Sequence, residues 1–230
     1  FDNVLAEIGV RPAASKSEAG QAVRDALSTL SRLALPGEII ARAAVQYPDD
    51  QLRHPRAVEA GCVPELSAYT LRVVTPPSQY IIKNKKTDHW THVGGFRTAG
   101  GHVHLGSPGF LGGLEKLYIV KMLDSFLGIP ELFFNKDATS RDRRKVYGLA
   151  GTHRVPDHGV EYRALSNFWL SSPVYVDLVY DLCEFVMKFV QNGLHRRFWA
   201  TDEAGSHSCH GYDLEVLRRA IDTCDKRLAE

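Results

Sequence analysis

Gly100-Gly101-His102-Val103-His104-Leu105-Gly106 and Val160-Glu161-Tyr162-Arg163 decide how this chain of 230 residues is read. On a strand, successive side chains point to opposite faces, so His102 and His104 share one face while Val103 and Leu105 share the other. The second stretch repeats the pattern, with Glu161 and Arg163 on one side and Val160 and Tyr162 on the other. Strands that are polar on one face need cover on one side only. The expected class is therefore α+β, an antiparallel sheet with helices packed on one side.

Outward from these strands, Leu114 to Leu127 has the apolar spacing of a helix, and Gly128-Ile129-Pro130 is expected to stop it. Glu131 to Phe134 is expected to be a short buried strand and Ser140 to Ala150 a basic helix. Pro173 to Val190 and Tyr212 to Leu228 have amphipathic helical patterns. Toward the start, Asp2 to Ile8 has a strand-like pattern. A helix is expected from Ser15 or Ser17 to Leu33, capped by serine and stopped by Pro36-Gly37. Ile39 to Gln46 and Thr70 to Val74 are further strand candidates, Asp49 to Ser67 is irregular, and Lys83 to Lys86 forms a solvated loop. No repeat or composition break divides residues 1–230, so a single domain is expected. The strand-like segment begins at Phe1 without a preceding turn, and a further strand upstream is expected.

The formal charge of +1 comes from 28 basic and 27 acidic residues, a balance that argues against a nucleic-acid coat or a membrane-surface patch. Four irregularly spaced cysteines suit a reducing compartment, so the expected location is the cytoplasm. The apolar stretch from Val174 to Val190 carries Asp177, Asp181, Glu184 and Lys188, which excludes it as a comfortable membrane span. Assembly into an oligomer is compatible with all of this.

The His102–His104 pair could bind a metal or a phosphate, or form hydrogen bonds on a polar sheet face. Glu161 offers a hard oxygen suited to magnesium, and the planar fork of Arg163 suits carboxylate or phosphate oxygens; the plain alternative is an ion pair. Arg141, Arg143, Arg144 and Lys145 place four cations in five residues, either a solvated helix face or an edge that reaches a phosphate. Arg97 is a further candidate for phosphate or substrate carboxylate. Asn3 and Glu7 share a face near the start, with oxygen ligands. Cys62 suits small buried packing, and His207, Cys209 and His210 lack the second ligand pair that a zinc site needs. GxxxxGK[ST], GxSxG and strand-borne GxGxxG motifs are absent.

Arg97 to Gly106, Leu123 to Pro130, Arg143 to Gly151 and Gly159 to Trp169, in this order, resemble the phage-type carboxylate-amine ligases of the glutamine synthetase-like superfamily. Asp2-Asn3-Val4 with Glu7, and Gly61-Cys62-Val63-Pro64-Glu65, look like that family's earlier blocks. The resemblance runs from Asp2 to about Trp169. It implies an amide bond made from a carboxylate and an amine, as small molecules or peptides, with ATP and Mg2+ and through an acyl phosphate. By resemblance, Glu7, His102 and Glu161 are metal ligands, and His104 contacts nucleotide or substrate. Arg163 contacts phosphate or substrate, and Arg141, Arg143 and Arg144 are phosphate-side arginines. Two other functions would use the same face: metal-dependent hydrolysis without a nucleotide, and noncatalytic binding on a ligase fold.

Overall fold

The computed structural model describes residues 5–61, 65–107, 109, 112–198, 208–209 and 212–229. In chain order, the first elements are α1 (Lys16–Leu33), β1 (Ala44–Gln46), β2 (Glu65–Ser67), β3 (Val73–Val74), β4 (Ile81–Lys83) and β5 (Trp90–His92). Next come β6 (Phe96–Thr98), β7 (Val103–Leu105), α2 (Gly113–Leu123), α3 (Ile129–Phe134), α4 (Ser140–Arg144), β8 (Thr152–Arg154) and β9 (Val160–Tyr162). The last are α5 (Pro173–Gln191), α6 (His195–Phe198), the two-residue strands β10 (Ser208–Cys209) and β11 (Tyr212–Asp213), and α7 (Leu214–Thr223).

Five strands form one sheet in the order β3-β2-β8-β9-β7, and all its pairings are antiparallel. β1 pairs with β6, and β4 with β5, in separate ribbons. The expected α+β class with an antiparallel sheet is present. β9 explains the layering. Val160, Tyr162 and Ala164 are fully buried and pack in one cluster with Ile119, Val120 and Leu123 of α2 and Val179, Val186 and Val190 of α5. The intervening residues, Glu161 and Arg163, therefore face away from the helices. No helix among the described residues is long and apolar enough to cross a membrane.

α1 starts as expected: the Ser15 hydroxyl accepts from the Glu18 amide, and the Glu18 carboxylate accepts from the Ala14 amide. Several elements depart from expectation. Residues 5–8 of the proposed first strand are not a strand, and residues 1–4 lie outside the described residues. Only Ala44–Gln46 and Val73–Val74 of two longer strand candidates are strands, Leu71 having a positive φ of 56° in the turn before β3.

Gly128-Ile129-Pro130 does not stop the helix. A π turn over Asp124–Gly128 carries α2 into α3, and the Ile129 amide reaches back to the Asp124 carbonyl. This wider turn accommodates Pro130, which has no amide hydrogen to donate. Glu131–Phe134, expected as a strand, is consequently α3. Leu132 fits an apolar run in either state, so periodicity over four residues does not discriminate. The basic helix ends at Arg144 instead of Ala150, and Gly148 follows with a φ of 73° that favours glycine. The C-terminal helix covers only Leu214–Thr223, closed by Cys224 in the left-handed region and followed by a short 3-10 turn, Lys226–Leu228.

The π turn also places a carboxylate in the core. Asp124 is fully buried, and its two oxygens accept from the Tyr162 hydroxyl at 2.7 Å and the Tyr69 hydroxyl at 2.8 Å. Burial pushes its pKa up to about 7, against the pull of the two phenols. Replacing Asp124 with Ala orphans both hydroxyls, at roughly 1–3 kcal/mol each. Urea unfolding should show a loss of that size; an unchanged midpoint would remove Asp124 from the account of β9's anchoring.

Candidate functional site on the open sheet face

The antiparallel register sets Glu161 of β9 opposite His104 of β7 and Arg154 of β8. His102, just before β7, lies on the same side as His104 by alternation, and Arg163 follows Glu161 in the same way. Four of the predicted site residues thus converge on the face that the helices leave open. Their contacts form a chain. The Arg163 guanidinium is 1% exposed; its Nε donates to Glu65 Oε1 at 2.9 Å and its Nη1 donates to Glu161 Oε1. His102 Nδ1 lies 3.2 Å from the same Glu161 oxygen, and His102 Nε2 lies 2.8 Å from the Tyr147 hydroxyl.

A carboxylate only accepts, so Nδ1 of His102 carries the hydrogen and Nε2 accepts from Tyr147. Burial lowers the His102 pKa to about 4, and the ring is neutral near pH 7. Burial alone would raise Glu161, but the hydrogen bond from His102 and the charge of Arg163 outweigh it and hold the carboxyl at about 2. Glu65 is pushed up by burial against the opposing pull of Arg163. The Tyr147 ring lies between two guanidinium groups, Arg143 at 5.0 Å and Arg163 at 5.1 Å from its centroid. At the open end, exposed His104 shares a proton position with His158, Nδ1 to Nε2 at 3.1 Å. Burial also lowers the His104 pKa.

The glycines before β7 permit this close packing. A Cβ on Gly101 would stand 2.6 Å from the Ser166 carbonyl oxygen and closer still to the Trp169 indole nitrogen, which donates to the Gly101 carbonyl at 3.2 Å.

The remaining predicted residues lie elsewhere. Arg97 is 2% exposed and donates to the carbonyls of Gly94, Phe96 and Ala57, so its guanidinium holds backbone together. Arg143 is fully buried and donates to the carbonyls of Arg163, Ala164 and Leu165, bracing the end of β9. Arg144 pairs with buried Glu131 at 2.9 Å, and Arg141 is exposed. Glu7 is exposed on a segment that is not a strand. No group of three His, Cys, Asp or Glu among the described residues is arranged to hold a metal. His207 and His210 lie outside the described residues.

Sequence reasoning gave no site role to Tyr147 and His158, and it placed Glu65 only in a block of family resemblance. Glu65 stands opposite Arg154 only once β2 and β8 pair, and Tyr147 sits in an irregular turn that periodicity does not place. The signal that could have found Glu65 was the need for a second carboxylate beside a buried arginine.

Two predictions arise here. Tyr147→Phe leaves His102 Nε2 buried without a donor, with an expected stability loss of about 1–2 kcal/mol. It should also raise the His102 pKa from about 4, because the phenol no longer favours the neutral ring; an unchanged NMR titration of His102 would refute the contact. The second concerns acid. Glu161 has a folded value of about 2 against an ordinary 4.5, so its stabilisation is complete above pH 4.5 and is lost as pH falls toward 2. The stability gap between the native chain and Glu161→Gln should narrow over that window in urea unfolding; a gap independent of pH would contradict the assignment.

A family model described as phage phiEco32-like COOH.NH2 ligase-type 2 matches residues 89–230. No curated protein and no solved structure matches the chain.

Proposed function

Because the chain belongs to the phage phiEco32-like COOH.NH2 ligase-type 2 family, we propose that it joins a carboxylate to an amine at the expense of ATP, on a sheet of glutamine synthetase type. The observation that carries the reading is the convergence of His102, His104, Glu161 and Arg163 on the sheet face opposite α2 and α5. A carboxylate oxygen is a poor leaving group. Attack of that oxygen on the γ-phosphorus of ATP releases ADP and leaves an acyl phosphate; the amine then attacks the carbonyl carbon, phosphate departs and the amine loses a proton.

Magnesium takes oxygen donors and is commonly held by one or two carboxylates together with substrate phosphates. Glu161 fits that use. His102 and Arg163 both address its Oε1, and no hydrogen-bond donor among the described residues addresses Oε2. Magnesium, when bound, supplies charge neutralisation on the phosphates. Both ring nitrogens of His102 are engaged, so this residue orients Glu161 in the proposed mechanism. Arg163 holds Glu161 ionised and contributes positive potential to the face. His104, exposed and neutral near pH 7, is the proposed acceptor of the amine's proton, with His158 sharing it.

The test is ADP release from ATP and magnesium against a panel of acids and amines, with mass spectrometry of the product. Release that requires both an acid and an amine, with an amide as product, is expected. Metal-dependent hydrolysis without ATP would replace this reading with a hydrolase, and failure to bind nucleotide would replace it with a binding protein.

A further inference from the structure

Where β7 ends and β9 begins, the two backbones approach so closely that only glycine fits. A Cβ on Gly106 would stand 2.5 Å from the His158 carbonyl oxygen, and one on Gly159, whose φ is 153°, would meet the Gly106 Cα at 3.0 Å. This approach carries His158 across to His104. His104 Nδ1 and His158 Nε2 are 3.1 Å apart, the ring centroids are 5.3 Å apart, and both residues are exposed. Neither has a further side-chain hydrogen bond or ion pair among the described residues.

Two imidazole nitrogens bound to one cation at about 2.0–2.1 Å stand about 2.9 Å apart at a right angle and about 3.3 Å apart at the tetrahedral angle. The observed 3.1 Å lies between these, so the separation is already that of a shared ligand pair. The rings now meet nearly end to end, and each has to turn to aim its lone pair at a common point; exposure of both side chains leaves room for that turn. Neutral imidazole suits Zn2+, Ni2+ and Cu2+, whereas Mg2+ selects oxygen donors.

We propose that His104 and His158 form a two-imidazole site for a divalent transition-metal ion, with water in the remaining coordination positions. Both rings bind as neutral imidazoles: the hydrogen between them passes to water, and the donor ring takes one up on its outer nitrogen. Occupancy of the pair does not depend on the ligase reading. Its consequence does: on that reading the ion occupies the ring that accepts the amine's proton, and it is an inhibitor.

The test is titration of the full chain with nickel(II) chloride, in excess magnesium and without ATP, following paramagnetic broadening of the histidine ring signals by NMR. His104 and His158 should broaden together, at nickel concentrations well below those that broaden the exposed rings of His54 and His89. Loss of a ligand's outer partner alone costs 10- to 100-fold in metal affinity, so His158→Gln should raise the nickel needed at His104 by about tenfold or more. His104→Gln should do the same at His158, and the same spectra report that each variant is folded. An unchanged response of His104 in His158→Gln overturns the proposal. So does a loss at His104 in Glu161→Gln, which puts the ion on the carboxylate. Broadening of His54 and His89 at the same nickel concentration would mean an adventitious ion only and overturns it too. These outcomes are read from binding, whereas the ligase reading stands or falls on ADP release with magnesium alone.

Discussion

Glu161→Gln is expected to lower amine-dependent ADP release by about 10^2- to 10^3-fold while the chain still folds, the range seen when one charge-stabilising group is removed from a site. The amide keeps the size of the carboxylate and one oxygen that can accept from His102 and Arg163. It removes the negative charge that Arg163 and the neutral ring of His102 are arranged around. Arg163 keeps Glu65 as a partner, which limits the structural damage. Steady-state kinetics beside a thermal melt separates the two effects. Turnover within a few-fold of native, on a folded protein, would take Glu161 out of the reaction.

Arg163→Met should have the largest effect on stability. Arg163 is the shared cation of two carboxylates, Glu65 at 4% exposure and Glu161 at 7%. Without it, two buried acids lose the cation they share, and loss of one partner from a buried pair costs about 3–5 kcal/mol. Urea unfolding should report that loss. Adding Glu65→Gln and Glu161→Gln to Arg163→Met should recover most of it, since the uncompensated charges then disappear. No recovery in the triple variant would mean that Arg163 acts through packing, for instance against Tyr147, and not as a counterion.

The alternation of His102 to Leu105 and of Val160 to Arg163 was legible because it depends only on the two-residue period of a strand. The pairing of β7 with β9 follows the same rule in space, which is why residues far apart in sequence meet. The arginines were legible as charge and not as direction. Arg143 and Arg144 are neighbours about 100° apart on a helix, so one turns to the end of β9 and the other to Glu131. Their burial reflects backbone carbonyls and a carboxylate that no local pattern announces. Glu131–Phe134 was misjudged because a π turn relieves the proline, a tertiary accommodation invisible to a rule about helix ends. β8 was missed for a related reason: Thr152–Arg154 is three residues long, and its identity as a strand comes from its partners β2 and β9.

β9 serves two masters within a few residues, the helix-packed layer through Val160, Tyr162 and Ala164 and the polar surface through Glu161 and Arg163. Deleting or inserting one amino acid between Gly159 and Ala164 would exchange the two sets, turning charge into the apolar cluster and hydrocarbon onto Glu65 and His102. A change of letter in this segment leaves the two faces in place, whereas a change of length does not.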